Sequence, residues 1–126
     1  MRKMGIDYGT KRVGIAFTDD QGHMAFPHGV LKNSSELVPQ LCALIQEKKV
    51  SELVIGYSLN REGKPNDVHR AVEELMTELT LETGLPIHLE PEQYTTQEAI
   101  RFQGRNDMTD ASAAAIILNS FIMRNS

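Results

Sequence analysis

The chain has one cysteine, Cys42, so it cannot close a disulfide within itself. That excludes the small scaffolds stapled by cysteine pairs, and Cys42, in an apolar helical pattern, is expected to be a reduced core residue. No apolar run approaches the ~20 residues that a membrane span needs. The first strand pattern starts almost at Met1, so we expect no signal peptide, no membrane association and a cytoplasmic location. No repeat, low-complexity tract or linker divides the 126 residues, and a single domain over 1–126 is expected. Nor is there an excess of positive charge: 13 Lys and Arg stand against 17 Asp and Glu, a net charge of −4. Affinity for nucleic acid rests largely on neutralising phosphates, so such a partner requires the basic residues to be concentrated locally.

What the chain does have is the stretch Met4-Gly5-Ile6-Asp7-Tyr8-Gly9-Thr10-Lys11-Arg12-Val13-Gly14-Ile15-Ala16-Phe17. Met4 and Ile6, then Val13, Ile15 and Phe17, alternate with small or polar residues as half-buried strands do. Gly9 and Gly14 permit a tight reversal and close backbone approach. Asp7 therefore sits near a strand end beside a basic, Gly-rich turn, a pattern that suits a phosphate or a metal ion. It equally suits a hairpin whose Asp hydrogen-bonds its own turn. Actin-like ATPases and sugar kinases also open with Asp-x-Gly-Thr, but they need two lobes and this length supplies one.

The remaining elements alternate as in an α/β layer structure. Residues 24–31 read as a third strand, with Pro27 suggesting an edge. Residues 35–49 read as a helix with Leu37, Leu41, Leu44 and Ile45 on its buried stripe. Residues 52–57 form a short apolar strand parallel to the first, because a helix precedes it. After a loop, Asn66 or Asp67 caps a second helix that Gly84 and Pro86 stop, and residues 85–89 are the fifth strand. Thr95-Thr96-Gln97-Glu98 has the form of a capping box, so another helix starts near Thr96 and Glu98 is explained as its cap. A final helix begins near Thr109-Asp110 and buries Ala113, Ala114, Ile117, Leu118, Phe121 and Ile122.

Glu92 has no comparable local explanation beyond a solvated loop carboxylate. Asp110 in a first turn is favoured by the helix dipole, worth ~0.3–1 kcal/mol, without any further role. Among the bases, Lys11 and Arg12 flank the Asp7 turn, Arg61 and Lys64 lie in a loop, and Arg101 and Arg105 fall four apart on one helical face. Each pair taken alone also reads as ordinary surface charge.

The joint pattern of strand Asp7, post-strand Glu92 and helix Asp110 in a β-β-β-α-β-α-β-α-α order resembles the YqgF/RuvX family of Holliday junction resolvases, also described as pre-16S rRNA nucleases. The resemblance covers nearly the whole chain. It is carried by Gly5-Ile6-Asp7-Tyr8-Gly9-Thr10-Lys11-Arg12-Val13-Gly14-Ile15-Ala16, by Val54-Ile55-Gly56-Tyr57-Ser58-Leu59-Asn60-Arg61-Glu62-Gly63, and by Asp110-Ala111-Ser112-Ala113-Ala114-Ala115-Ile116-Ile117-Leu118. It implies a ribonuclease H-like α/β fold, a five-stranded mixed sheet flanked by helices. It implies a metal-dependent nuclease in which Asp7, Glu92 and Asp110 are catalytic and hold Mg²⁺ or Mn²⁺, hard cations that prefer oxygen ligands. Lys11, Arg12, Asn60, Arg61, Lys64, Arg101 and Arg105 are then the nucleic-acid contacts.

Where the family shows Asp-Glu-Arg-Leu-Ser-Thr, this chain has Pro91-Glu92-Gln93-Tyr94-Thr95-Thr96, and it lacks the Lys/Arg-rich stretch before Asp110. No histidine is required as base, since metal-bound water supplies the nucleophile; His23, His28, His69 and His88 are expected to be structural or surface residues. The implied partners are structured RNA or DNA, ribosomal precursor particles among them, acted on by a monomer or weak homodimer. The implied reaction is phosphodiester hydrolysis, either at the 5′ end of pre-16S rRNA in ribosome biogenesis or at Holliday junctions. The alternative is a non-catalytic nucleic-acid or ribosome-assembly binding module with the same fold.

Overall fold

Alternating large and small residues build the first hairpin. β1 (Arg2–Tyr8) and β2 (Arg12–Thr18) pair antiparallel, with Met4 opposite Phe17, Ile6 opposite Ile15 and Tyr8 opposite Val13. The computed structural model describes residues 2–9, 11–57, 67–91 and 107–124. β3 (Ala25–Lys32) adds antiparallel to β2, with an irregularity where the partner passes from Gly29 to Pro27. It is an edge strand, the place where a residue without an N–H is tolerated. β4 (Val50–Tyr57) runs parallel to β1, and β5 (Ile87–Pro91) parallel to β4, giving the order β3-β2-β1-β4-β5. The helices are α1 (Leu37–Lys48), α2 (Asp67–Thr83) and α3 (Asp107–Arg124). The helix expected near Thr96 lies outside the described residues.

Several boundaries differ from the sequence pattern by one or two residues, those of α1 and β5 for a visible local reason. α1 starts at Leu37 rather than residue 35, because Ser34 turns the chain: its carbonyl accepts the Leu37 N–H and its hydroxyl the Glu36 N–H. Pro39 then falls in the first turn, where its missing N–H has no intrahelical partner to lose. α2 ends at Gly84 in the left-handed region at φ 68, its N–H bonded to the Thr80 carbonyl. Leu85 is held to the Thr83 hydroxyl and the Pro86 carbonyl accepts the Leu53 N–H, so β5 begins only at Ile87. The expected strand at 85–89 is thus shifted by two residues, which carries Glu90 and Pro91 into the sheet. α3 begins at Asp107, so Asp110 is its fourth residue.

The two faces of the sheet are packed differently. One cluster joins Met4, Ile6, Val13, Ile15, Leu53 and Ile55 to Leu37, Leu41 and Ile45 of α1 and Val72, Leu75 and Leu79 of α2. The other joins Ala16, Ala25 and Val54 to Ala114, Ala115, Ile117, Leu118 and Phe121 of α3. A Cβ added at Gly5 would lie 2.9 Å from the Ala114 carbonyl oxygen and 3.0 Å from Leu118 Cβ, so α3 reaches β1 closely because Gly5 has no side chain.

Candidate functional site

Asp7 is the last but one residue of β1, and partners across strands share a face of the sheet. Its partners are Gly14 on β2 and Gly56 on β4, and Gly56 pairs in turn with Glu90 on β5. Glycine thus flanks Asp7 on both sides of its row. The next side chain toward β5 is Glu90, two strand spacings or ~9–10 Å away. Gly5, two residues earlier, touches α3, so the half-buried Asp7 lies on the α3 face.

The direction of α3 follows from its contacts. Asn119 Oδ1 accepts the Ala25 N–H at 3.0 Å, at the start of β3. Ala25 pairs with Thr18, whose hydroxyl accepts the Lys3 N–H at 2.8 Å, which is the amino end of β1. The carboxyl half of α3 therefore lies at the amino end of β1, and its first turn lies at the carboxyl end. Asp110 is one turn, ~6 Å, before Ala114, while Asp7 is ~7 Å beyond Gly5 on the strand that Ala114 touches. Backbone geometry brings these two positions to the same end of the molecule.

The turn after Asp7 is fixed by two features. A Cβ at Gly9 would stand 2.5 Å from the Arg12 carbonyl oxygen, so this position demands glycine. Asn33 braces the same turn, its Nδ2 donating to the Gly9 carbonyl at 2.7 Å and its N–H to the Lys11 carbonyl at 3.0 Å. Lys11 and Arg12 are exposed there, as a phosphate-facing role requires. The sequence reading missed Asn33; the signal available was a side-chain donor placed immediately after the strand that pairs with the turn.

Glu90 is the second residue it missed. Having placed the strand at 85–89, that reading left Glu90 in a loop, whereas it is 3% exposed and accepts a hydrogen bond from the Ser120 hydroxyl at 3.1 Å. A buried carboxylate is costly unless it is hydrogen-bonded, and this bond ties β5 to α3. Two residues earlier, His88 packs its ring on Phe121 at 4.7 Å and bonds Glu52 through Nε2 at 2.9 Å, while Lys3 reaches the same carboxylate at 3.6 Å. His88 thus joins β5 to both α3 and β4. Cys42 lies at the margin of the core, half-buried, and burial together with the charge of Glu82 raises its thiol pKa above the usual value.

Of the predicted site, Asp7, Lys11 and Arg12 are described with their surroundings, and Asp110 is placed by its helix. Glu92, Asn60, Arg61, Lys64, Arg101 and Arg105 lie outside the described residues. Among the described residues no three of His, Cys, Asp and Glu gather into a metal-binding group, and no helix is long and apolar enough to cross a membrane.

The comparisons agree with this architecture. The family model described as RuvX, Holliday junction resolvase, matches residues 1–124. A protein of Oleidesulfovibrio alaskensis named "Putative pre-16S rRNA nuclease" is 33% identical over 97% of this chain and 92% of its own length. One of the same name from Lachnospira eligens is 33% identical over 97% and 96%. Among solved structures, T. thermophilus RuvC in complex with a Holliday junction substrate superposes with TM-score 0.64 at 16% identity, covering 100% of this chain and 97% of that one. The fowlpox virus Holliday junction resolvase gives 0.60 at 9% identity with full coverage of both. The fold is that of these ribonuclease H-like resolvases.

Proposed function

The chain belongs to the RuvX family of Holliday junction resolvases, and from that premise we propose that it is a metal-dependent nuclease hydrolysing phosphodiester bonds in structured nucleic acid. The observation that carries the reading is the row Gly14, Asp7, Gly56, Glu90. It sets a strand-end carboxylate between two residues without side chains, at the end where α3 begins. An all-oxygen set fits Mg²⁺ or Mn²⁺. Asp7, Asp110 and Glu92 are the residues that would hold the ion. Bound there, such an ion supplies an activated water and stabilises the leaving oxygen.

The protein's own residues do the rest. Asn33 and Gly9 hold the turn so that exposed Lys11 and Arg12 can neutralise phosphates beside the cut. Asn60, Arg61, Lys64, Arg101 and Arg105 extend that contact in this reading, offsetting a net charge of −4. The substrate is the 5′ end of pre-16S rRNA or a Holliday junction, and the site of action is the cytoplasm. A second reading, binding to nucleic acid or assembling ribosomal particles without cleavage, is favoured by Pro91, which stands where the family has an acid and which pairs with Tyr57 in the sheet.

Cleavage of precursor RNA and of a four-way junction, with Mn²⁺ and with chelator, separates the two. Asp7→Asn is expected to fold, to be neutral or slightly stabilised without metal, and to lose both cleavage and the Mn²⁺-induced rise in Tm. Equal metal responses in the two proteins would make Asp7 a turn residue and defeat the metal site. Tight binding with no cleavage by the wild type would establish the second reading.

A further inference from the structure

A cavity of ≈ 260 Å³ opens on the other face of β1, immediately beyond the candidate site. Its wall includes Tyr8, the residue after Asp7 on the strand, together with Asn33, Ser34 and Ser35 of the β3–α1 turn and Glu74 and Glu78 of α2, over an apolar floor. The volume lies just below the ~300–1,000 Å³ of sites that enclose drug-sized ligands, which suits one ring system rather than a whole nucleotide.

The charge of the lining is one-sided, while the hydroxyls of Tyr8, Ser34 and Ser35 can donate or accept. Glu74 and Glu78 are exposed carboxylates one helical turn apart, and both can only accept hydrogen bonds when ionised. Asn33 gives one Nδ2 hydrogen to the Gly9 carbonyl, which leaves its Oδ1 and its second Nδ2 hydrogen able to meet a ligand. Among the described residues, none that lines the cavity is cationic. Such a site repels phosphate and favours a donor-rich group, while Tyr8 offers an aromatic wall. The base edge that presents adjacent N–H donors matching a carboxylate is that of guanine, through N1–H and the N2 amino group.

We propose that this cavity receives an unpaired guanine of the nucleic acid whose backbone passes Asp7, so that cleavage or binding is directed to a site with guanine next to it. The inference rests on the nuclease reading. RNA-binding proteins commonly read single-stranded bases in this way, with stacking on an aromatic ring and hydrogen bonds to the base edge.

The test uses the full chain and three labelled strands: a short oligouridine carrying one guanosine, the same strand with inosine in its place, and all-uridine. Inosine keeps N1–H and lacks the amino group. The guanosine strand is expected to bind roughly tenfold tighter than the inosine strand, the worth of the one hydrogen bond to a carboxylate that inosine cannot make. In Glu74→Ala/Glu78→Ala, whose positions are exposed and whose helical signal checks folding, all three strands should bind somewhat better as negative charge is removed, and the guanosine preference should vanish. Equal binding of the three strands by the wild type, or a preference that survives the double substitution, overturns the inference and leaves the nuclease reading standing. Absence of binding to every strand, to precursor RNA and to a junction defeats both.

Discussion

The two faces of the sheet differ in the size of the residues that build them. Under α1 and α2 the contact is made by volume: Met4, Ile6, Ile15, Leu41, Leu53, Ile55 and Leu79 are essentially inaccessible, and burying a side chain of this size contributes ~1.5–3 kcal/mol. Under α3 small residues, Gly5, Ala16, Ala25, Ala111, Ala114 and Ala115, stand beside the larger Val54, Ile117, Leu118 and Phe121. Small residues contribute less per position and allow the helix backbone to come close. The first face chiefly stabilises the sheet. The second sets how far the first turn of α3, with Asp110, lies from the carboxyl end of β1, with Asp7.

That division can be broken most forcefully on the large face. Leu53→Ala removes a fully buried side chain from the centre of the first cluster and is expected to cost ~2–5 kcal/mol. Denaturant unfolding should show the loss while the Mn²⁺-induced rise in Tm keeps its wild-type size. A metal response that disappears with the cavity would show that the two faces are one mechanical unit.

On the small face a single methyl group should do less to stability and more to the site. In Gly5→Ala the new Cβ meets a backbone oxygen at 2.9 Å, which cannot swing aside as a flexible side chain would. Overpacking of this kind costs ~1–3 kcal/mol, and relief requires α3 to move away from β1. We therefore expect a smaller fall in Tm than in Leu53→Ala together with a weakened Mn²⁺ response. A variant with full metal response would mean that the spacing of α3 is not what positions the site.

The same contrast explains what could be read from the sequence. Strand alternation and the buried stripe of α1 are written in side-chain type, so the first hairpin, the helix after it and the parallel fourth strand were all recognisable before any coordinates. Small-residue packing was legible only as the alanine run of the last helix; that Gly5 is its counterpart depends on pairing across the fold. The register of β5 was hidden too, because it is set by how Gly84 and Thr83 end α2 and by the contact of Pro86 with Leu53. That two-residue shift concealed Glu90 as a neighbour of Asp7 in the row. Asn33 escaped for a similar reason, since its partners Gly9 and Lys11 are distant in sequence. Asp7 was found from its own hairpin, yet the glycine on its β4 side becomes meaningful only once β4 is known to lie beside β1.

The smallest effect is expected where neither face is involved, in the turn between β2 and β3. Asp19 Oδ1 accepts the His23 N–H at 2.8 Å, and the backbone closes around it with the Gly22 N–H on the Asp19 carbonyl and Gly22 at φ 74. The hydrogen bond from His23, assisted by those of neighbouring backbone groups, holds the Asp19 carboxyl below its ordinary pKa of 3.8. A folded-state pKa below the unfolded one favours the folded state wherever the unfolded carboxyl is ionised. The contribution is therefore complete above the unfolded value and is lost as pH falls through the lower folded value. Asp19→Ala should accordingly melt slightly below the wild type at neutral pH, and the gap should close under acid conditions. Its Mn²⁺ response should equal that of the wild type, because this turn lies at the amino end of β1 and the candidate site at the other. A gap that persists in acid would assign the effect to the shape of the turn rather than to the ionised carboxylate, and a lost metal response would show that the hairpin transmits strain along its whole length to Asp7.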